Sequence, residues 1–346
     1  MAPTETAAPR ASLDHVSAAA PGPGRWRDLV CRTPLIHSRV LSEALGTRVL
    51  LKLDALQPSG SFKDRGMAYM CAELQKRGTE QLISSSGGNA GFAAATMGGM
   101  LGLKVRVIVP ETTKQLMIDK IRGAGAEVQV HGANWNEADV LARSLVEANP
   151  SAAYVSPYDD PLLWTGHSSL VDELAEAGVR PGAIVASVGG GGLLNGLYLG
   201  LQRHGWEDVR LVTAETDGAN CFAAARAAGV PTRLPAIASV ATSLGALECS
   251  PTSLELAAAH CGGTDSCAVS DAEAVGACAD FLRDHRLLVE PACGAALALL
   301  RAPRHRAVFA GLDSVVVVVC GGSGVSWEIM EEWRRAGLWS TQPPRA

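Results

Sequence analysis

The sequence predicts an α/β fold made of two lobes, each built on an open, twisted and mostly parallel sheet flanked by helices. Three observations support this prediction. From Thr33 onward, short apolar segments alternate with amphipathic ones, as strands alternate with helices. The apolar segments are continuous runs of Val, Ile and Leu, which is typical of strands covered on both faces. A proline-rich turn at residues 156–161 is the predicted crossing between the lobes.

Each predicted element follows from its local pattern. Short apolar runs predict strands at residues 48–53, 81–84, 104–109, 127–130, 153–155, 183–188, 210–214 and 314–319. Helical spacing of apolar residues predicts helices at residues 63–76, 90–101, 114–122 and 135–148, with another after residue 188. Gly78 ends the first helix, because glycine readily adopts the left-handed conformation that closes helices. Residues 1–24 are rich in Ala, Pro, Thr and Ser, and we expect a disordered tail there.

Composition narrows the classes of function. The chain of 346 residues is 47% hydrophobic and 19% charged, as expected for a globular protein with a large core. A net charge of −5 without a long basic run gives nucleic-acid binding no electrostatic support, and no apolar run is long enough to span a bilayer. The nine cysteines form no Cys-x-x-Cys pair, the eight histidines lack metal-ligand spacing, and no signal peptide is visible. These features predict a cytoplasmic protein with free thiols and no structural zinc site.

A lysine in an unusual setting is the first candidate functional residue. Lys63 lies in the stretch PSGSFKDRG at residues 58–66, follows Phe62 and opens a predicted helix. The small residues before it allow a close approach of the backbone to a ligand. A lysine packed against apolar surface becomes a nucleophilic amine that can form an imine with an aldehyde. A solvated surface cation is the alternative, and three later turns favour the functional interpretation.

These turns follow predicted strands, at the sheet edge where ligands bind in such folds. Residues 84–91 read SSSGGNAG, which exceeds what a helix cap requires, and we interpret them as a carboxylate site. Residues 189–192 are four glycines between a strand and a helix, which is typical of a phosphate loop, although the spacing fits neither a dinucleotide fingerprint nor a P-loop. Cys320 precedes two glycines after the last strand, where a thiol either faces a ring nitrogen or packs as a small apolar residue.

Taken in this order, the four stretches resemble those of fold-type II pyridoxal-phosphate enzymes, which have the tryptophan synthase beta-like fold. The chain most closely resembles the L-serine/L-threonine dehydratases of the serine dehydratase kind, from about Thr33 to near Trp339 and including residues 159–162 and 289–295. The resemblance implies a small domain at residues 57–160 and a large cofactor-binding domain formed by residues 25–56 and 161–346. We also expect a homodimer.

The resemblance implies roles for individual residues. Lys63 would bind pyridoxal 5'-phosphate as an imine and later move the Cα proton of the substrate, and Phe62 would stack on the pyridine ring. The substrate carboxylate would be held by Ser86, Gly87, Asn89 and Ala90, with Asn89 also near the ring hydroxyl. The phosphate would be held by Gly189, Gly190, Gly191, Gly192 and Leu193, and Cys320 would face the pyridine nitrogen. A potassium ion would be bound by Glu215, Ala219 and the carbonyls of Leu244 and Ala246. A surface acid is the alternative for Glu215.

The reaction that the resemblance implies is dehydration and deamination of L-serine and L-threonine to pyruvate or 2-oxobutanoate plus ammonia. Related serine racemases use a serine base where this chain has Gly87, so we expect little racemase activity. Asp64 matches threonine synthases instead, although with Arg65 it is also explained as an exposed pair in a first helical turn. A threonine synthase or a β-replacement enzyme is therefore the alternative. The sequence around Asn89 contains no Arg or Lys for a substrate phosphate, which favours the lyase. Outside this class, the alternatives are a non-catalytic cofactor-binding protein and a nicotinamide dehydrogenase, whose glycine fingerprint is missing.

Overall fold

The structure is a computed structural model that describes residues 20–22 and 24–340. Most of the predicted tail at residues 1–24 therefore lies outside the described residues. The strands are β1 (Leu35–His37), β2 (Arg48–Lys52), β3 (Gln81–Ser84), β4 (Lys104–Val109), β5 (Glu127–Val130), β6 (Ala152–Tyr154), β7 (Ala183–Ser187), β8 (Arg210–Thr216), β9 (Thr264–Val269) and β10 (Ser314–Val318).

Helices connect most of these strands. They are α1 (Arg39–Leu45), α2 (Lys63–Lys76), α3 (Asn89–Met100), α4 (Gln115–Gly123), α5 (Trp135–Glu147), α6 (Pro161–Glu176), α7 (Gly192–Arg203), α8 (Cys221–Ala228), α9 (Pro251–Ala259), α10 (Asp271–His285), α11 (Pro291–Leu299) and α12 (Trp327–Arg335). Local sequence explains several helix starts. Asp160 caps α6, with Pro161 in the first helical position, and Ser270 forms a capping box with Glu273 at the start of α10.

The larger sheet has the strand order β1-β2-β10-β7-β8-β9. β1 runs antiparallel to β2, and all other neighbours in this sheet are parallel. The central strand β10 pairs with β2 on one side, Val315 lying opposite Val49, and with β7 on the other. Val315 is fully buried, as is the whole of β7, so these strands form the centre of the largest hydrophobic core. Continuous Val/Ile runs are stable here because both faces of the strands are covered.

The smaller sheet has the order β5-β4-β3-β6 and is parallel throughout. Its strands all fall between residues 81 and 154, inside the range predicted for the small domain. The domain boundaries at residues 57 and 160 themselves stay a prediction. No helix in the described residues is long and apolar enough to cross a membrane.

The predicted α/β fold is confirmed, and two strands escaped prediction. β1 is a strand of 3 residues, too short to give a pattern of its own. β9 reads TDSCAV, and its exposed Ser266 breaks the continuous apolar run expected of a buried strand. It lies at the edge of the larger sheet, where one side of a strand has no neighbour and polar residues are tolerated.

Candidate active site

The candidate active site lies at the carboxyl-terminal edge of the larger sheet. β2, β10 and β7 are parallel neighbours, so the segments that follow them emerge on the same side. The segment after β2 leads to Lys63, and the segment after β10 contains Cys320. Backbone hydrogen bonds join these two segments, from Phe62 N–H to the Cys320 carbonyl at 3.1 Å and from Gly322 N–H to the Gly60 carbonyl at 2.9 Å. The structure therefore brings the lysine and the thiol stretches together.

Lys63 is the first residue of α2, as the sequence predicted. Its side chain is partly buried, and its Nζ donates a hydrogen bond of 2.5 Å to the Pro157 carbonyl. Nζ also lies 5.2 Å from the centroid of the Phe62 ring. Burial lowers the pKa of Lys63 to about 8, while nearby Cys320 acts in the opposite direction. Burial therefore favours the neutral form of this amine more than it is favoured in an exposed lysine, and the neutral amine is the nucleophilic form.

Cys320 is a buried free cysteine in the segment that follows β10. A hydrogen bond with the Cys293 thiol and burial together raise the pKa of Cys320 well above its ordinary value. The thiol therefore stays protonated and carries no charge. Such a group suits an aromatic ring nitrogen that is not protonated, which is the partner that the resemblance implies for Cys320.

The four glycines lie in the turn that leads into a helix, as the sequence predicted. Gly189, Gly190 and Gly191 connect β7 to α7, which begins at Gly192. Within the described residues, the N–H groups of the first three donate to no backbone carbonyl. Free N–H groups at a helix N-terminus bind phosphate well. A Cβ atom on Gly190 would lie 2.2 Å from the Tyr158 ring, and Gly191 has a φ of 94°, so glycine is required at both positions.

Unpaired buried polar atoms surround the same edge. Within the described chain, Ser61 Oγ, Ser187 Oγ and both ring nitrogens of His167 have no hydrogen-bond partner. Ser61 lies two residues before Lys63, Ser187 ends β7 before the glycine turn, and the His167 ring lies 5.0 Å from that of Phe62. Each such group costs about 1–3 kcal/mol when it stays unpaired. A polar ligand held here would supply the missing partners, so these residues fit pyridoxal phosphate.

The predicted carboxylate turn faces this edge from the smaller sheet. Ser86, Gly87 and Asn89 are half-buried, whereas Ala90 is buried in the first turn of α3. The Asn89 side chain reaches across to the segment after β10, where its Oδ1 accepts a hydrogen bond of 2.8 Å from Ser323 N–H. The structure thus places the turn beside the segment that begins with Cys320. The lysine, thiol and carboxylate stretches meet between the two sheets.

The predicted cation ligands include Glu215, which lies in β8, and the carbonyl of Leu244. Glu215 is fully buried, so its interpretation as a surface acid is wrong. Its two oxygens accept hydrogen bonds from the backbone N–H groups of Phe222 and Ala223 at 2.9 and 2.8 Å, at the start of α8. Burial raises the pKa of Glu215 to about 7. The Leu244 carbonyl accepts a hydrogen bond of 2.8 Å from Ala246 N–H.

The expectation that Asp64 and Arg65 form an exposed pair is also wrong, because both side chains are fully buried. Asp64 accepts hydrogen bonds from the N–H and hydroxyl groups of Ser59 at 2.6 and 2.5 Å, and burial raises the pKa of Asp64 to about 7. Arg65 instead pairs with Asp54 and Glu173. Asp64 therefore shapes the turn before Lys63, because Ser59 occupies both of its carboxylate oxygens.

Two residues that contact the site, Glu290 and Lys120, were not predicted from the sequence. Glu290 accepts a hydrogen bond of 3.0 Å from Asn89 Nδ2, and Lys120 Nζ donates one of 2.6 Å to the Ser323 carbonyl. A cation therefore lies near Asn89 after all, brought there by α4. Glu290 was visible only as part of the stretch VEPACGA, and nothing in its spacing linked it to Asn89.

Known proteins are similar to this chain over most of its length. The profile of a family described as pyridoxal-phosphate dependent enzyme matches residues 27–321. The mouse protein named serine dehydratase-like is 46% identical over 307 residues, which cover 87% of this chain and 92% of that protein. The mouse L-serine dehydratase/L-threonine deaminase is 46% identical over 302 residues, covering 85% of this chain and 92% of its own length.

A solved structure shows the same relationship. The crystal structure of a fungal L-serine ammonia-lyase from Rhizomucor miehei superposes with a TM-score of 0.83 and is 38% identical in sequence. The superposition covers 89% of this chain and 98% of the fungal chain. The similarity thus extends over both sheets and the edge between them.

Proposed function

This chain belongs to the pyridoxal-phosphate-dependent enzymes, and from that premise we propose that it is a lyase that deaminates L-serine and L-threonine. The products are pyruvate or 2-oxobutanoate, with ammonia. The observation that carries the proposal is the placement of the partly buried Lys63 at an edge shared with the glycine turn before α7 and the buried Cys320 thiol. Relatives named as serine dehydratases and a serine ammonia-lyase support the same chemistry.

When bound, pyridoxal phosphate supplies an aldehyde for an amine and a conjugated ring that accepts electrons from Cα. The residues of the chain would hold the cofactor and move the proton. We propose that the N–H groups at Gly189–Leu193 hold the phosphate, that Phe62 packs on the ring, and that Cys320 contacts the ring nitrogen without donating a charge. Lys63, as a neutral amine, takes the proton from the substrate Cα.

Substrate orientation is assigned to the turn before α3. We propose that Ser86, Gly87, Asn89 and Ala90 hold the substrate carboxylate through N–H and side-chain donors at a helix start. The turn is made of small residues, which suits a small amino acid such as serine or threonine.

The test is a side-by-side assay of four substrates with the purified holoenzyme. We expect L-serine and L-threonine to yield 2-oxo acid and ammonia, while O-phosphohomoserine and O-acetylserine with sulfide are turned over poorly. The comparison matters because Lys120 lies near Asn89 and offers a cation for a substrate phosphate. Efficient turnover of either activated ester, with serine and threonine inert, would replace the lyase with a synthase or a β-replacement enzyme. No turnover of any substrate would favour a non-catalytic binding protein.

Racemisation of serine is expected to be slight. Gly87 has no side chain to deliver a proton to the face opposite Lys63, and a missing base slows proton transfer by about 100-fold or more. A Cβ atom on Gly87 would lie 2.6 Å from Thr113 Oγ1, so a serine there requires Thr113 to move. Chiral chromatography of the serine left after partial turnover measures the effect. D-serine that accumulates as fast as pyruvate would contradict the prediction.

We propose a monovalent cation site formed by Glu215 and the carbonyls of Ala219, Leu244 and Ala246. Among the described residues, the hydrogen-bond partners of the buried Glu215 carboxylate are backbone N–H groups and include no cationic side chain, and a potassium ion would supply the missing positive charge. We expect activity to fall about 10-fold or more when potassium is exchanged for a bulky organic cation at constant ionic strength. Activity that does not change would leave Glu215 as a cap of α8 only.

We also propose that the protein is a cytoplasmic homodimer. The cytoplasmic location is supported by nine free cysteines, which fit a reducing compartment. The dimer rests on the resemblance to the family. Light scattering should give a mass about twice the 35.9 kDa of one chain; a mass of one chain would contradict the dimer.

A further inference from the structure

Three groups from segments that connect or follow the strands β8, β9 and β10 bind the Asn89 side-chain amide. Its Oδ1 accepts from Ser323 N–H at 2.8 Å. Its Nδ2 donates to Glu290 Oε2 at 3.0 Å and to Ser243 Oγ at 3.2 Å. Both N–H donors of the amide are thereby used, and its oxygen has one of its two acceptor positions filled. The orientation of Asn89 is therefore fixed by these three partners, and Glu290 is the charged one.

Glu290 is itself held rigidly. The side chain is 5% exposed and lies just before Pro291, the first residue of α11. Its other oxygen accepts from Gly324 N–H, and Ser243 donates its hydroxyl to the oxygen that binds Asn89. A Cβ atom on Gly322, whose φ is 120°, would lie 2.2 Å from the Glu290 carboxyl carbon. A side chain at residue 322 would therefore collide with the Glu290 carboxylate, and glycine at this position leaves room for it.

Ser323 extends this arrangement to the lysine segment. Its hydroxyl donates to the Ser59 carbonyl at 2.6 Å, and Ser59 in turn donates to Asp64, the residue after Lys63. Its own carbonyl accepts from Lys120. The side chains of Asn89 and Lys120, from the helices beside the smaller sheet, are thereby tied to the segment that carries the cofactor lysine.

We propose that Glu290 is a positioning residue that holds the Asn89 side chain, and with it the turn at residues 86–90, so that the N–H groups of this turn face the substrate carboxylate. The inference rests on the proposed function, because Asn89 is assigned to the substrate there. An anionic acceptor obliges the NH2 group of Asn89 to face Glu290 and its oxygen to face Ser323. Without the anion, the amide keeps only its neutral partners Ser323 and Ser243, and the contact between the start of α3 and the opposite side of the site is weakened.

The test is the substitution Glu290→Gln, which keeps the size of the side chain and removes its charge. The new amide presents a donor to Gly324 N–H or to Asn89 Nδ2, so one hydrogen bond is lost. We expect KM for L-serine to rise about 10-fold, with kcat changed less than about threefold. In the substrate-free holoenzyme, hydrogen exchange over residues 86–92 should quicken about fivefold. Exposed Glu332 on α12 provides the matched control Glu332→Gln, which should alter none of these values.

The milder substitution Ser243→Ala tests the same proposal if the Glu290 variant does not fold. It removes one neutral partner of Asn89, and we expect KM to rise about two- to threefold. Unchanged KM and unchanged exchange in either folded variant would overturn the proposal, and so would a loss of kcat at constant KM. A wild-type enzyme that does not turn over L-serine would refute the proposed function. Hydrogen exchange needs no substrate, so its result would still decide the role of Glu290.

Discussion

Replacing Lys63 with alanine is expected to abolish deamination and to remove the visible chromophore of the holoenzyme. The substitution removes both the amine that binds the cofactor aldehyde and the base that takes the Cα proton. General-base catalysis alone contributes about 100- to 10,000-fold to rate, so the loss should exceed about 1,000-fold. Pyruvate release from L-serine measures the rate, and an absorbance scan of the dialysed protein measures the retained cofactor.

The exposed lysine at the start of β4 provides a matched control. Lys104→Ala removes an amine of the same kind far from the glycine turn, and it should leave activity and chromophore unchanged. Borohydride reduction of the wild-type enzyme followed by peptide mapping should place the adduct on Lys63. An adduct on another lysine, or a Lys63→Ala variant that still deaminates serine, would contradict the assignment.

The features predicted correctly from sequence are those that short stretches determine. A continuous run such as Val315 to Val318 indicates a buried strand by itself, since only burial on both faces accommodates it. The start of α2 at Lys63 and the four glycines that lead into α7 were likewise visible locally. Parallel strands then place the turns after them at one edge, so the neighbourhood of Lys63 and Cys320 followed from topology.

The errors concern contacts between distant parts of the chain. Asn89 and Glu290 are 201 residues apart, and no local pattern pairs them. Asp64 and Arg65 look like a solvated pair in a first helical turn, because burial of a charge depends on partners elsewhere in the sequence. Glu173, which contacts Arg65, lies 108 residues further along in α6. Burial of charges is therefore the part of this site that sequence patterns describe least well.

Arg65 is the centre of a buried ion network beneath the site. Its Nε and Nη2 donate to Asp54 at 2.7 and 2.9 Å, and its Nη1 donates to Glu173 Oε1 at 2.6 Å. Arg65 and Asp54 are fully buried, and Lys52 pairs with the other oxygen of Glu173. The planar guanidinium satisfies two carboxylates at once, which a lysine cannot do in the same way. The network fixes α2 two residues after Lys63.

The substitution Arg65→Met is expected to produce the largest loss of stability among single changes near the site. It keeps much of the apolar stem but leaves Asp54 buried without its cation. Removing one partner of a buried ion pair costs about 3–5 kcal/mol, because the remaining charge stays desolvated. Urea denaturation of the holoenzyme and of its variant measures the change in the free energy of unfolding. Arg65→Lys should fall between them, since it keeps the charge and loses the paired geometry.

The pH dependence of the lost unfolding free energy distinguishes a buried carboxylate without its cation from a loss of apolar packing. A protonated carboxyl needs no cation, so the deficit of Arg65→Met should shrink from neutral to mildly acidic pH, whereas a packing defect would not change with pH. The surface pair of Arg39 with Glu43 on α1 supplies the control, because Arg39 is 78% exposed. Arg39→Met should change the free energy of unfolding by less than about 0.5 kcal/mol. Equal losses in the two variants would mean that the buried network contributes no more than a solvated ion pair, and that α2 is held in place by its apolar contacts alone.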